Sequence, residues 1–222
     1  MKKKLLVVAL FAIALLALTA CAQTDVVGKV SVTSFDAVLK SADIQKDDMN
    51  SGWSLVAPDK SARFIWSWDT SVSAPHDVML ELDAQPFIAA GLDTKKLDAG
   101  LFIDGKIMLG QSFGDAAFPA SAQNTALASY EQLVKIKREA IGYHEKLDHY
   151  GIDAGSGNKF EWAKDMSKND KDIVFVVDPK AFIEAGVDPA KVSGWVFAKV
   201  EIKDAAGKPI EVEKFLKPFN LK

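Results

Sequence analysis

A chain of 222 residues carrying 27 Lys and Arg against 30 Asp and Glu is slightly acidic, which excludes the basic footprint of a nucleic-acid-binding protein. Its single cysteine excludes an internal disulfide framework. Stability has to come from a buried core, and this length is enough for one large or two small domains.

The chain opens on Met1-Lys2-Lys3-Lys4, followed by sixteen residues, Leu5 to Ala20, without a charge. A basic start and a short apolar run are the profile of a signal peptide. The apolar run, Leu5 to Leu18, is about 14 residues, where a membrane-crossing helix needs about 20. It ends in Leu18-Thr19-Ala20-Cys21. This ending resembles the lipobox of bacterial lipoproteins: a branched apolar residue, two small ones, then a cysteine. The resemblance covers residues 1–21 only. It implies cleavage before Cys21, a diacylglyceryl thioether on its sulfur, and a membrane anchor in the cell envelope. The alternative is an ordinary secretory signal in which Cys21 is incidental. If the host has two membranes, Ala22, in place of the aspartate that retains lipoproteins at the inner membrane, implies the outer one. Cleavage removes three lysines and no acid, leaving 24 basic against 30 acidic residues. A net charge of about −6 argues against electrostatic docking on anionic lipid, so membrane contact is expected through the anchor alone.

Residues 22–33 read as a spacer, with the alternation Val30-x-Val32 favouring an edge strand over 26–32. Beyond them the sequence is one unit written twice. Asp77, Asp83, Phe87, Gly91 and Asp93 recur as Asp172, Asp178, Phe182, Gly186 and Asp188 at a constant offset of 95. The match extends upstream to Ser34-Phe35 with Ser129-Tyr130. After a one-residue slip, Phe64-x-Trp66 also aligns with Phe160-x-Trp162. Two copies are therefore expected, at 34–128 and 129–222.

Within each copy the hydrophobic period gives the elements in order. A helix is expected over 35–49 and, more strongly, over 124–150, where apolar residues recur at helical spacing without a proline. Strands follow at Phe64-x-Trp66-x-Trp68 and Phe160-x-Trp162, then at Val78–Leu82 and Ile173–Val177. Short helices at 86–90 and 181–185 stop at Gly91 and Gly186, residues suited to the left-handed C-terminal position. A hairpin around Asp204 to Lys208 closes the second copy. Strands and helices without a βαβ alternation indicate α+β.

No Gly-x-Ser-x-Gly elbow and no phosphate-binding glycine loop occurs in the sequence. On a helix over 124–150, His144 and Asp148 would share one face, with His149 adjacent. These three residues are the candidate metal ligands, and with further ligands they would suit a metal- or haem-handling protein or a hydrolase. The shared aspartates read as turn caps. Copies that agree mark architecture, and copies that differ mark specialisation. On that logic Trp68, aligned with Lys164, is the candidate ligand-facing ring. Ligand sites favour domain interfaces, so the leading expectation is an anchored, non-enzymatic module that binds a small molecule or protein in a groove between the copies.

Overall fold

The computed structural model describes residues 27–71, 76–98, 100–114, 116–168 and 171–221; the signal segment and Cys21 lie outside them. The edge strand expected over 26–32 is replaced by helix α1, residues 27–41. Three valines and a threonine in its first seven residues cost a few tenths of a kcal/mol each in helix propensity. Helical spacing, however, turns Ser31, Ser34, Phe35 and Val38 to one buried side. Burying Phe35 and Val38 completely stabilises by about 1.5–3 kcal/mol each, so tertiary packing outweighs propensity.

Six strands and one short helix follow: β1 (Ile44–Asp47), β2 (Gly52–Val56), β3 (Ala62–Ser67), β4 (Val78–Asp83), α2 (Gln85–Ala89), β5 (Phe102–Ile103) and β6 (Lys106–Gln111). The order then repeats with α3 (Ala120–Gln123), α4 (Ala126–Ile136), β7 (Ile141–His144), β8 (His149–Asp153), β9 (Lys159–Ala163), β10 (Ile173–Val177), α5 (Lys180–Glu184), β11 (Val196–Lys203) and β12 (Pro209–Phe219). Each set of strands forms one antiparallel sheet. Their orders, β1-β2-β3-β4-β6-β5 and β7-β8-β9-β10-β12-β11, are the same permutation. The fold is α+β, built from two tandem copies.

Three further expectations need correction. The copy boundaries at 33/34 and 128/129 fall inside α1 and α4, so the units divide between β6 and α3 instead. The helix expected over 124–150 ends at Ile136, and residues 141–153 form the β7–β8 hairpin. Ile141 and Tyr143 lie opposite Ile152 and Tyr150, so the apolar residues that fitted a helical period also fit period two. Asp148 at φ +52° closes the turn in the left-handed region. The first copy's expected helix at 35–49 likewise ends at residue 41, before β1.

Period two sends Phe64 and Trp66 to one face of β3, and Phe160 and Trp162 to one face of β9. These faces meet. Phe64 stacks on Phe160 with ring centroids 4.2 Å apart, Phe35 lies 4.0 Å from Tyr130, and Phe87 lies 5.0 Å from Phe182. In each case a residue touches its own counterpart, which happens only on a twofold axis. Gly91 and Gly186 end α2 and α5 at φ +107° and +101°, and an added Cβ on either would sit 2.8 or 3.0 Å from the other's carbonyl oxygen. Beside them Asp93 N donates to Ala185 O, and Asp188 N to Ala90 O, both at 2.9 Å.

The long helices are exchanged about this axis. Trp66 Nε1 donates to Ser129 Oγ on α4, and Trp162 Nε1 donates to Ser34 Oγ on α1, both at 2.8 Å. Each indole of one copy is therefore satisfied by the helix of the other, and one continuous apolar core spans both. The junction expected to hold a groove is filled by aromatic rings.

Candidate functional site

Because the inner faces form this shared core, chemistry has to be sought on the outward faces and at the turns. The conserved-in-copy aspartates do local work. Asp93 and Asp188 accept from Lys95 N and Ala190 N, and Asp83 and Asp178 from Gln85 N and Lys180 N. Asp77 and Asp172 accept from Phe113 N and Leu221 N, holding the end of each copy to its sheet.

Cross-strand register makes the outward faces comparable position by position. Arg63 on β3 lies opposite Val56 and Glu81, and its counterpart Lys159 on β9 lies opposite Asp153 and Val176. Arg63 Nη1 donates to Asp47 Oδ2 at 3.0 Å, and Nη2 to Glu81 Oε2 at 2.6 Å. Asn50 Nδ2 also donates to Asp47, at 2.9 Å. Two carboxylates thus hold one guanidinium in a fixed plane. Arg63 Nε is buried and lacks a hydrogen-bond partner among the described residues. Next to this cluster is a depression of about 350 Å³, lined by Asp43, Gln45, Val56, Pro58, Lys60 and Arg63. That volume lies in the range that accepts small ligands. The second copy has His144 where Asp47 stands and Val176 where Glu81 stands. The charged cluster therefore belongs to one copy. Sequence comparison could have found it, because Arg63 and Lys159 flank the aligned aromatic pairs.

The histidine candidates do not converge. Paired across the β7–β8 hairpin, His144 and His149 share the outward face. His149 is 3% exposed. His144 Nδ1 sits 3.8 Å from Glu161 Oε2, a carboxylate that the sequence reading missed because it is two strands away. Asp148 turns elsewhere: it accepts from Tyr143 Oη at 2.5 Å and from Lys168 Nζ at 2.6 Å. The Lys168 ammonium and the Tyr143 hydroxyl hold its carboxyl down to about 2, and Asp148 in turn pushes the Tyr143 phenol up to about 12. Among the described residues no group of three or more His, Cys, Asp or Glu is placed to hold a metal ion.

Trp68 also has local partners. Lys46 Nζ lies 4.9 Å from its ring centroid, and the Trp53 ring lies 6.1 Å away edge-on. In the second copy Lys164 holds the place of Trp68 and lies 5.5 Å from the ring of Tyr143, the counterpart of Lys46. The same cation–π pair occurs in both copies with cation and ring exchanged. The difference at Trp68 therefore preserves an interaction.

Copy two carries one large elaboration. Ile107 and Phe215 hold equivalent register opposite Leu82 and Val177, at an offset of 108 in place of 95. The 13 added residues lengthen the expected hairpin into the β11–β12 ribbon, on which Val196 is 51% exposed. Glu201 on this ribbon pairs with Lys146 in the β7–β8 turn at 2.8 Å. In a flat sheet those edges would stand about 24 Å apart, so the sheet and ribbon curl strongly.

No protein-family model, curated protein or solved structure matches the chain.

Proposed function

We propose that this chain is a lipid-anchored cell-envelope protein that binds a small polar molecule, without catalysing its conversion, in the depression beside Arg63. The anchor reading rests on Leu18-Thr19-Ala20-Cys21 after a basic start and an apolar run. Cys21 precedes the first described helical residue, Val27, by six positions. A fully extended segment of that length reaches about 20 Å, so the anchor would hold the fold close to its membrane. Among the described residues no helix is long and apolar enough to cross a membrane. In a host with two membranes, Ala22 favours the outer one.

The observation that carries the binding reading is the asymmetry of the outward faces. At this depression an otherwise twofold fold keeps an oriented guanidinium, Lys60 and Gln45, and among the described residues the carboxylates that orient the guanidinium are not repeated at the equivalent positions of the second copy. Such a lining suits a molecule with a hydrogen-bond acceptor facing Arg63 and Lys60, and a donor facing Asp43 or Gln45.

Two measurements test this reading. Cys21→Ser should leave the precursor uncleaved or move the protein to the soluble fraction; normal processing with continued sedimentation would sink the anchor. Native mass spectrometry of protein isolated from its host should show a bound small molecule. Lys60→Ala, an exposed change without a folding cost, should weaken its retention. Equal retention by both proteins would exclude the depression.

A further inference from the structure

We infer that the chain is a homodimer fused end to end: the face each unit buries is a self-complementary surface whose natural partner is a second copy of the same unit. Two unrelated domains can pack in any orientation, but an isologous interface obeys a strict rule. Each residue on the axis meets its own counterpart, and each off-axis contact occurs twice with the roles exchanged. Phe35 with Tyr130, Phe64 with Phe160, and Phe87 with Phe182 satisfy the first half of the rule. The second half is met by two pairs of hydrogen bonds. Trp66 to Ser129 is matched by Trp162 to Ser34, and Asp93 N to Ala185 O by Asp188 N to Ala90 O.

Self-pairing is also chemically feasible, which the symmetry alone does not guarantee. In a pair of second units, Trp162 of each would donate to Ser129 of the other, the hydroxyl that already accepts from Trp66. Asp188 N would meet Ala185 O, the acceptor that Asp93 N already uses. Phe160, Phe182 and Gly186 would each meet themselves, at positions where the present partner is the same residue type. Tyr130 would face a tyrosine in place of Phe35, and the contacts that cross between the units once only, Lys217 with Asp59 and Gln111 Nε2 with Asp153 O, would be lost. In a pair of first units Trp66 would donate to Ser34, with Ile107 standing where Phe215 now meets Phe87. Most of the divergence lies away from the axis, in the Arg63 cluster, in the reversed cation–π pair and in the β11–β12 ribbon. Specialisation has kept the reciprocal aromatic, indole and backbone contacts of the pairing face.

On this account the connection between β6 and α3 is a tie, not a structural necessity. The test uses the chain from Ala22 onward with a protease recognition sequence inserted after Gly114. The uncut variant, whose urea midpoint must match the parent, is the folding control. After cutting, the halves should stay together as a 1:1 complex at micromolar concentration and unfold in one transition. When the cut protein is unfolded in urea and refolded, native mass spectrometry should show both homodimers beside the original pair. Halves that separate as monomers, or refolding that yields the mixed pair alone, would overturn the inference.

Discussion

Replacing Gly91 with alanine probes the axis where the two backbones come closest. Two costs arise. At φ +107° an L residue is strained by about 1–2 kcal/mol. Its Cβ would also lie 2.8 Å from the Gly186 carbonyl oxygen, closer than side-chain carbons approach backbone, so the units must part locally. Parting them lengthens the reciprocal bonds of Asp93 and Asp188, both 2.9 Å, each worth about 1 kcal/mol net. The expected loss is about 2–4 kcal/mol. Gly207→Ala supplies the control, since Gly207 has φ +78° but nothing within 4 Å of an added Cβ, and should show the backbone cost alone. In urea unfolding followed by tryptophan fluorescence, with a slope of about 2 kcal/mol per molar, Gly91→Ala should lower the midpoint by about 1–2 M and Gly207→Ala by about 0.5–1 M. Gly186→Ala should resemble Gly91→Ala, and the double variant should lose less than the sum, because one contact is opened once. Equal midpoints for Gly91→Ala and Gly207→Ala would refute the close approach at the axis.

The exchanged helices predict that Trp162→Phe and Ser34→Ala each cost about 1–2 kcal/mol, and that a double-mutant cycle on urea midpoints returns a coupling of about 1 kcal/mol; zero coupling would deny the bond. For Asp59, burial pushes the carboxyl up, but the Lys217 ammonium with the Ser61 hydroxyl and amide more than offsets it, leaving the group below its ordinary value of 3.8. A depressed carboxylate stabilises the fold above its unfolded value, and that contribution is lost as pH falls through the folded one. Asp59→Asn should therefore cost about 1–2 kcal/mol at pH 7, by leaving the buried Lys217 ammonium without its carboxylate, and progressively less below about pH 4 in urea titrations. Lys217→Met, which removes the buried charge, should cost less than Asp59→Asn. Finally, His149→Ala should lower stability by about 1–3 kcal/mol and His144→Ala by under about 1, because only His149 is fully buried. Zinc should leave the melting temperature of all three proteins unchanged, and a zinc-dependent rise abolished by either variant would restore the metal reading.

Much of this protein was readable from its residues. The offset of 95 between Phe87-to-Asp93 and Phe182-to-Asp188 determined that there are two copies. Period-two aromatics placed β3 and β9, and Gly91 and Gly186 marked the ends of α2 and α5. These signals are local, and a local signal survives without knowledge of its neighbours. The residues at 27–32 and 141–150 were misread because their apolar spacing fits both periods, and the choice between helix and strand was made by what lay opposite. For α1 that partner is Trp162, 128 residues away. The cluster of His144, Asp148 and His149 does not assemble, for a related reason. His144 and Asp148 are neighbours only on a helix, and the hairpin sends one toward Glu161 and the other toward Lys168. Arg63, Asp47 and Glu81 are scattered in sequence and meet because β1, β2, β3 and β4 lie side by side in register. Pairing a unit with its own repeat is likewise a property of two surfaces meeting, and only the tertiary structure, in which each indole finds the other copy's serine, decides it.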